Sequence, residues 1–264
     1  MSGRNREEIM IEPAKPADFK ALQCSECLKG NDLGFEFHMA FQPIVNTNTG
    51  SVLAQEALVR GPENQGAGWV FERINDSNRY RFDQACRVKA IQQASLLGGD
   101  ALLNINFLPN AVYRPELCIR TTLAAAKEFN FPLDRLVFEI TESEKLSDYN
   151  HLQNIVDHYK SLGFKIAIDD FGAGYAGLNH LAQIEAEFVK LDMALIRDIQ
   201  HKPKNQIILR GIVQVCNELG TTVIAEGVES KNELDVLQEM GIDIFQGYYF
   251  AKPGFKEYPE IENL

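Results

Sequence analysis

Amphipathic segments that end in glycine and lead straight into short β-rich runs recur along most of this chain. Gly163, Gly220 and Gly241 each close a periodic segment and precede such a run. The runs are Phe35–Val45, Ser51–Arg60, Ala101–Phe107, Arg135–Ile140, Lys165–Asp169, Ala186–Asp192, Thr221–Ala225 and Ile242–Phe245. Helical patterns lie between most of them, at Phe82–Leu97, Pro115–Phe129, His151–Leu162, Lys204–Leu219 and Lys231–Met240. Repeated alternation of this kind is the grammar of an α/β fold. With 264 residues the chain suits one large domain, near the roughly 250 residues of an eight-stranded α/β barrel. The first two runs depart from the pattern. Only Asn46-Thr47-Asn48-Thr49-Gly50 joins them, a hairpin-like turn too short for a helix. The expected fold is therefore a modified (β/α)8 barrel with an antiparallel first strand, over residues 33–264. Residues 1–32 are polar, contain Pro13 and Pro16, and read as an N-terminal extension.

The net charge of -11 removes the electrostatic footprint of a duplex nucleic-acid binder. No apolar run approaches the ~20 residues needed to span a bilayer. The first residues hold no apolar core of a secretory signal. Five scattered cysteines fit a reduced, cytoplasmic protein. Cys24 and Cys27 form a C-x-x-C without a second pair; His38 is the nearest further candidate ligand. They read as ordinary thiols rather than a zinc site.

Side chains alternate faces along a strand, which sorts the runs by parity. Leu136, Phe138 and Ile140 share one face and pack outward, while Val137 and Glu139 face the other way. The same split sets Ile166 and Ile168 against Ala167 and Asp169, and Val189 and Leu191 against Phe188, Lys190 and Asp192. On the inward parity a polar residue repeatedly falls near the strand's C-terminal end: Glu56, Asn106, Glu139, Asp169, Lys190 and Glu226. That rim carries the active site in barrel enzymes. Taken singly, each of these is a solvated loop residue, a turn or a helix cap. Six sharing one parity and one rim are not. Clustered carboxylates repel and resist burial, and divalent cations resolve both problems. Oxygen ligands suit Mg²⁺ or Mn²⁺. Glu56, Glu139, Asp169, Asp170 and Glu226 carry five negative charges when ionised, against four positive charges on two such ions, with Asn106 a neutral ligand. Gly172 and Gly174 allow the chain after Asp169 to turn and aim both neighbouring carboxylates at one centre.

The residues match a family at this point. The segments Phe41-Gln-Pro-Ile44, Glu56-Ala-Leu-Val-Arg60, Asn106-Phe-Leu-Pro109, Phe138-Glu-Ile-Thr-Glu142, Asp169-Asp-Phe-Gly-Ala-Gly174, Val189-Lys-Leu-Asp192, Ala225-Glu-Gly-Val-Glu229 and Gln246-Gly-Tyr248 stand in an order and spacing that resemble the EAL domains, phosphodiesterases of cyclic di-GMP. The resemblance runs from about Phe41 to Pro253. It implies a modified TIM barrel that hydrolyses cyclic di-GMP to linear 5′-pGpG with two bound divalent cations. It implies one ion held by Glu56, Asn106, Glu139 and Asp169, and a second held by Asp169, Asp170 and Glu226. Lys190 matches the lysine that holds the attacking water or its proton. Gln42, Leu58, Arg60, Asp192 and Gln246 match positions around the substrate, and Asp83 an aspartate that contacts guanine. Glu142 matches a glutamate that holds the Asp-Asp loop, and Glu229 one that supports the site. Members of the family often pair as homodimers. Some bind cyclic di-GMP without cutting it, and those usually lack several metal ligands; none is missing here. Two segments depart from the common pattern, Ala173 where threonine is frequent and Asn-Phe-Leu-Pro where Asn-Leu-Ser-Pro is frequent. Neither removes a ligand.

Overall fold

The structure, a computed structural model, describes residues 33–112, 114–141, 149–173 and 177–264. The expected extension over residues 1–32, with Cys24 and Cys27, lies outside them, as do Glu142 and Gly174. The strands are β1 (His38–Asn46), β2 (Ser51–Arg60), β3 (Leu102–Asn106), β4 (Leu136–Thr141), β5 (Lys165–Phe171), β6 (Phe188–Leu191), β7 (Thr222–Ala225), β8 (Ile244–Phe245) and β9 (Gly254–Phe255). The helices are α1 (Ala67–Phe71), α2 (Arg79–Leu97), α3 (Pro115–Cys118), α4 (Arg120–Glu128), α5 (Tyr149–Ser161), α6 (Gly177–Gln183), α7 (Met193–Ile196), α8 (Pro203–Leu219) and α9 (Lys231–Glu239). The expected helix over Pro115–Phe129 runs as two pieces, α3 and α4, that meet at Ile119.

Strands β2 to β8 pair in sequence order and in parallel, and β1 closes the barrel between β8 and β2, antiparallel to both. The short turn after β1 forces this reversal. Asn46 accepts the amides of Asn48 and Thr49 on its side chain, which pins the turn. A hairpin leaves no crossover helix to cover the outer face of β1. The C-terminal segment helps to do so: β9 pairs with β1 at Ala40 and Phe41, and the Tyr258 ring meets Phe41 edge-on at 5.2 Å.

The inward parity is as expected. Ile44, Ala54, Val137, Ala167, Phe188, Ile224 and Ile244 pack together inside the barrel as one apolar layer. The opposite parity, including Phe138, Ile140, Ile166, Ile168, Val189 and Leu191, belongs to the larger core between barrel and helices. Local chemistry agrees with the elements. Pro203 opens α8 at its first turn, where its missing N–H costs nothing, and Gly220 ends it at φ 72°. Ser230 and Glu233 cap α9 reciprocally. Among the described residues no helix is long and apolar enough to cross a membrane.

Candidate active site

Above the apolar layer the barrel interior turns polar. Gln42, Glu56, Asn104, Asn106, Glu139, Asp169 and Lys190 project from the strands, and Glu226 and Gln246 follow the last residues of β7 and β8. Lys190 is fully buried at the centre. Its Nζ lies 2.7 Å from Glu139 Oε1, 2.7 Å from Glu226 Oε1, 3.0 Å from Asp169 Oδ1 and 3.2 Å from Glu56 Oε2. Glu56 is further held by Asn106 Nδ2 at 3.0 Å and Gln246 Nε2 at 2.7 Å. Gln246 Nε2 also reaches Gln42 Oε1 at 3.2 Å, and Gln42 Nε2 donates to the Ala251 carbonyl at 3.2 Å.

The Asp169-Asp170 pair is aimed by the backbone. Between Ile168 and Phe171 the register of β5 against β6 slips: Ile168 is level with Val189, but Phe171 rather than Asp170 is level with Leu191. Two residues of β5 therefore face one of β6, a β-bulge. Asp170 itself takes the left-handed region at φ 54° and Gly172 follows at φ 98°. Gly172 takes the turn conformation expected of it, and Asp170 carries part of the turn as well, at a modest conformational cost. A Cβ on Gly172 would also stand 2.3 Å from Leu195 Cδ1. As a result Asp169, Asp170 and Glu226 each offer a carboxylate oxygen within 4.8 Å of the others.

Burial dominates the electrostatics. It pushes Glu139, Glu226 and Asp169 above the usual carboxylate range despite Lys190. Asp170 is pushed up to about 6 by burial and by Asp169 and Asp192. Glu56 goes the other way: burial would raise it, but Lys190, Gln246 and Asn106 together hold it below the usual range. For Lys190 burial alone would lower the pKa, and Asp169, Glu139, Glu226 and Glu56 hold it well above the ordinary value.

One ammonium against five carboxylates leaves four negative charges, the number that two divalent cations cancel. The donor set fits such ions in a second way. Glu139 Oε2 is buried and accepts no hydrogen bond. Buried carboxylate oxygens without donors are costly unless something else satisfies them.

Leu58 and Arg60 lie two and four residues beyond Glu56, half-buried at the outer end of β2. Arg60 Nη1 donates to the Val59 carbonyl at 2.8 Å. Burial lowers its pKa, while Tyr248 and Glu56 pull it up. Asp192 caps α7 by accepting the Ala194 amide at 2.8 Å. Glu229 is exposed and forms a two-pronged pair with Arg197, 2.6 Å at each nitrogen. Asp83 lies on α2. Its carboxylate is buried, one oxygen paired with Arg87 and the other accepting the Leu108 amide at 3.2 Å. It ties α2 to the chain leaving β3.

Three contributors escaped the sequence reading. Asn104 donates to Glu139 Oε1 at 2.7 Å; its inward parity, two residues before Asn106, was a usable signal. Glu233 accepts the amides of Asp198, Glu229 and Ser230 and so holds the chain that follows Glu226. The pattern Ser230-x-x-Glu233 announces it. Gly247 has no room for a side chain: a Cβ would sit 2.0 Å from the Val228 carbonyl oxygen. That close approach pairs the segments carrying Glu226 and Gln246.

The chain matches the EAL domain family over residues 30–253. Its fold superposes with a TM-score of 0.84 on a standalone EAL protein from Vibrio cholerae solved with bound c-di-GMP. The two are 52% identical, and the match covers 86% of this chain and 96% of that one. BlrP1 of Klebsiella pneumoniae, solved with manganese and cyclic di-GMP, aligns with a TM-score of 0.81 and 34% identity over 85% of this chain and 57% of that one. The cyclic di-GMP phosphodiesterase PA2567 of Pseudomonas aeruginosa is 28% identical over 258 residues, 95% of this chain and 43% of that protein. The chain spans about half, or less, of the length of the curated relatives it matches.

Proposed function

The chain belongs to the EAL domain family, and on that premise we propose that it is a phosphodiesterase that hydrolyses cyclic di-GMP to linear 5′-pGpG with two divalent cations, Mg²⁺ or Mn²⁺. The observation that carries this reading is the cluster of five carboxylates, four around Lys190 and Asp170 beside Asp169 and Glu226, whose net four negative charges two such ions would cancel. Glu56, Asn106, Glu139 and Asp169 would hold one cation, and Asp169, Asp170 and Glu226 the other. Bound there, the ions would supply neutralisation of the anionic phosphate and acidification of water from pKa 15.7 towards about 7.

The chain's own residues do the rest. Lys190 Nζ is the proton holder. Burial favours its neutral form and the surrounding carboxylates favour the charged one. Any positive charge added to those carboxylates shifts the balance towards a nitrogen that can accept a proton. Gln246 and Asn106 keep Glu56 ionised and oriented. Arg60, beyond Glu56 on the same strand, has the planar fork that suits a phosphate or a guanine acceptor. Leu58, Gln42 and Asp192 line the same end, and the Glu229–Arg197 pair stiffens the loop after Glu226.

Assembly and location are part of the proposal. Ile208, Val215 and Leu219 stand exposed on α8 at helical spacing, with half-buried Ile212 between them. That stripe favours a second copy as its cover, giving a homodimer. Cys86, Cys118 and Cys216 are free and buried, which suits the reducing cytoplasm.

The test mixes purified protein with cyclic di-GMP and Mg²⁺ or Mn²⁺, with EDTA as control, and follows products by chromatography. Metal-dependent pGpG is the expected result. Tight binding without product in either metal moves the chain to the receptors of this dinucleotide.

A further inference from the structure

Neighbouring strands put Glu56 level with Asn104, and Glu139 level with Asn106. The hydrogen bonds cross this register. Asn106 Nδ2 donates to Glu56 Oε1 at 3.0 Å, and Asn104 Nδ2 donates to Glu139 Oε1 at 2.7 Å. The amide orientation of Asn104 follows from its partner, since an ionised carboxylate only accepts. Asn104 is fully buried, and its Oδ1 has no hydrogen-bond partner. A buried acceptor left bare is unfavourable. An apolar residue at this interior position would avoid that cost, as its neighbours in the layer below do.

We propose that Asn104 is a positioning residue that fixes the Glu139 carboxylate so that Oε2 is the oxygen presented to a divalent cation. This rests on the metal reading above and adds a residue to it. Glu139 Oε1 is occupied from two sides, by Asn104 Nδ2 and by Lys190 Nζ, each at 2.7 Å. Oε2 is buried and free of donors. Lys190 cannot select between the two oxygens alone, because it is shared with Glu56, Asp169 and Glu226. Among the described residues the Asn104 amide donates to Glu139 alone, and its plane sets that of the carboxylate. Partners that orient a metal ligand typically affect metal affinity by about 10- to 100-fold.

Mn²⁺ titration of the metal-stripped full chain by calorimetry tests this, with Asn104→Leu beside the wild type. The Leu variant keeps the volume and loses the donor. The expected result is a Kd for one Mn²⁺ raised about 10-fold or more, with the second site retained and thermal unfolding still cooperative. In turnover, kcat falls while KM for cyclic di-GMP stays within about twofold, as for groups that do not touch substrate. Asn104→Gln, which keeps the donor, restores part of the affinity. If the Leu variant fails to fold, Asn104→Ser, too short to reach Glu139, takes its place. A folded variant that binds both Mn²⁺ ions like the wild type overturns the proposal and leaves the phosphodiesterase reading standing. A wild type that takes up no Mn²⁺ overturns both.

Discussion

At the residue scale, Lys190 shows how burial and charge share one site. It meets four carboxylates between 2.7 and 3.2 Å while fully buried. Removing one partner of such an arrangement leaves uncompensated buried charge, a loss of about 3–5 kcal/mol. Lys190→Met is therefore expected to destabilise the metal-free protein strongly at pH 7.5. The loss shrinks towards pH 5, where the carboxyls whose pKa values burial has raised take up protons and no longer need a cation. Urea melts in EDTA at the two pH values measure this; equal losses would mean the carboxylates do not depend on Lys190. Glu56→Ala and Asp169→Asn are each expected to lower turnover of cyclic di-GMP by more than about 100-fold, because each removes a cation ligand. Full turnover in either variant would sink the two-metal reading.

At the scale of elements, two backbone features place the chemistry. The bulge in β5 sets Asp169 and Asp170 against Lys190 and brings both within 4.8 Å of Glu226. The packing of Gly247 under Val228 sets where Gln246 meets Glu56. At Gly247 the obstacle is backbone rather than a movable side chain, so Gly247→Ala cannot be relieved by a rotamer change. It is expected to cost about 1–3 kcal/mol in stability and to reduce turnover as Gln246 is displaced. A urea melt and a kcat measurement on one preparation check both, and an alanine variant with wild-type values would show that these two segments can part freely.

At the scale of the whole molecule, the metal-free site holds more negative charge than Lys190 answers. Asp170 is raised to about 6 from an ordinary value near 3.8. A carboxyl raised by folding weighs against the folded state as pH climbs from its unfolded pKa through the folded one. Cations that bind the ionised forms reverse that effect. Mn²⁺ at 100 times its Kd stabilises by about 2.7 kcal/mol, which for a chain of this size is a Tm rise of roughly 5–10 °C. The rise is expected to be small at pH 5 and full at pH 7.5, read by thermal scans with and without EDTA. A rise independent of pH would place the ions elsewhere. Assembly is tested at the same scale. Ile208→Asp on the exposed stripe of α8 is expected to convert a dimer to a monomer in sedimentation, with the barrel still folded. An unchanged dimer would move the interface to another face.

Much of this was local and therefore readable. Strand parity has a period of two and needs no knowledge of neighbours, so Val137 and Glu139, or Phe188 and Lys190, declared their inward face in the sequence. The five-residue turn Asn46–Gly50 likewise dictated an antiparallel first strand. The rim carboxylates and Asn106 followed from parity and strand ends together. What the tertiary structure decided is which inward residues meet. Crossed bonds from Asn104 to Glu139 and from Asn106 to Glu56 depend on the stagger between strands, which no single strand encodes. The left-handed turn at Asp170, the inward pairing of Asp83 with Arg87, and the two-residue strand β9 arise the same way. Each is set by contacts between segments far apart in the chain, where local preference is too weak to choose.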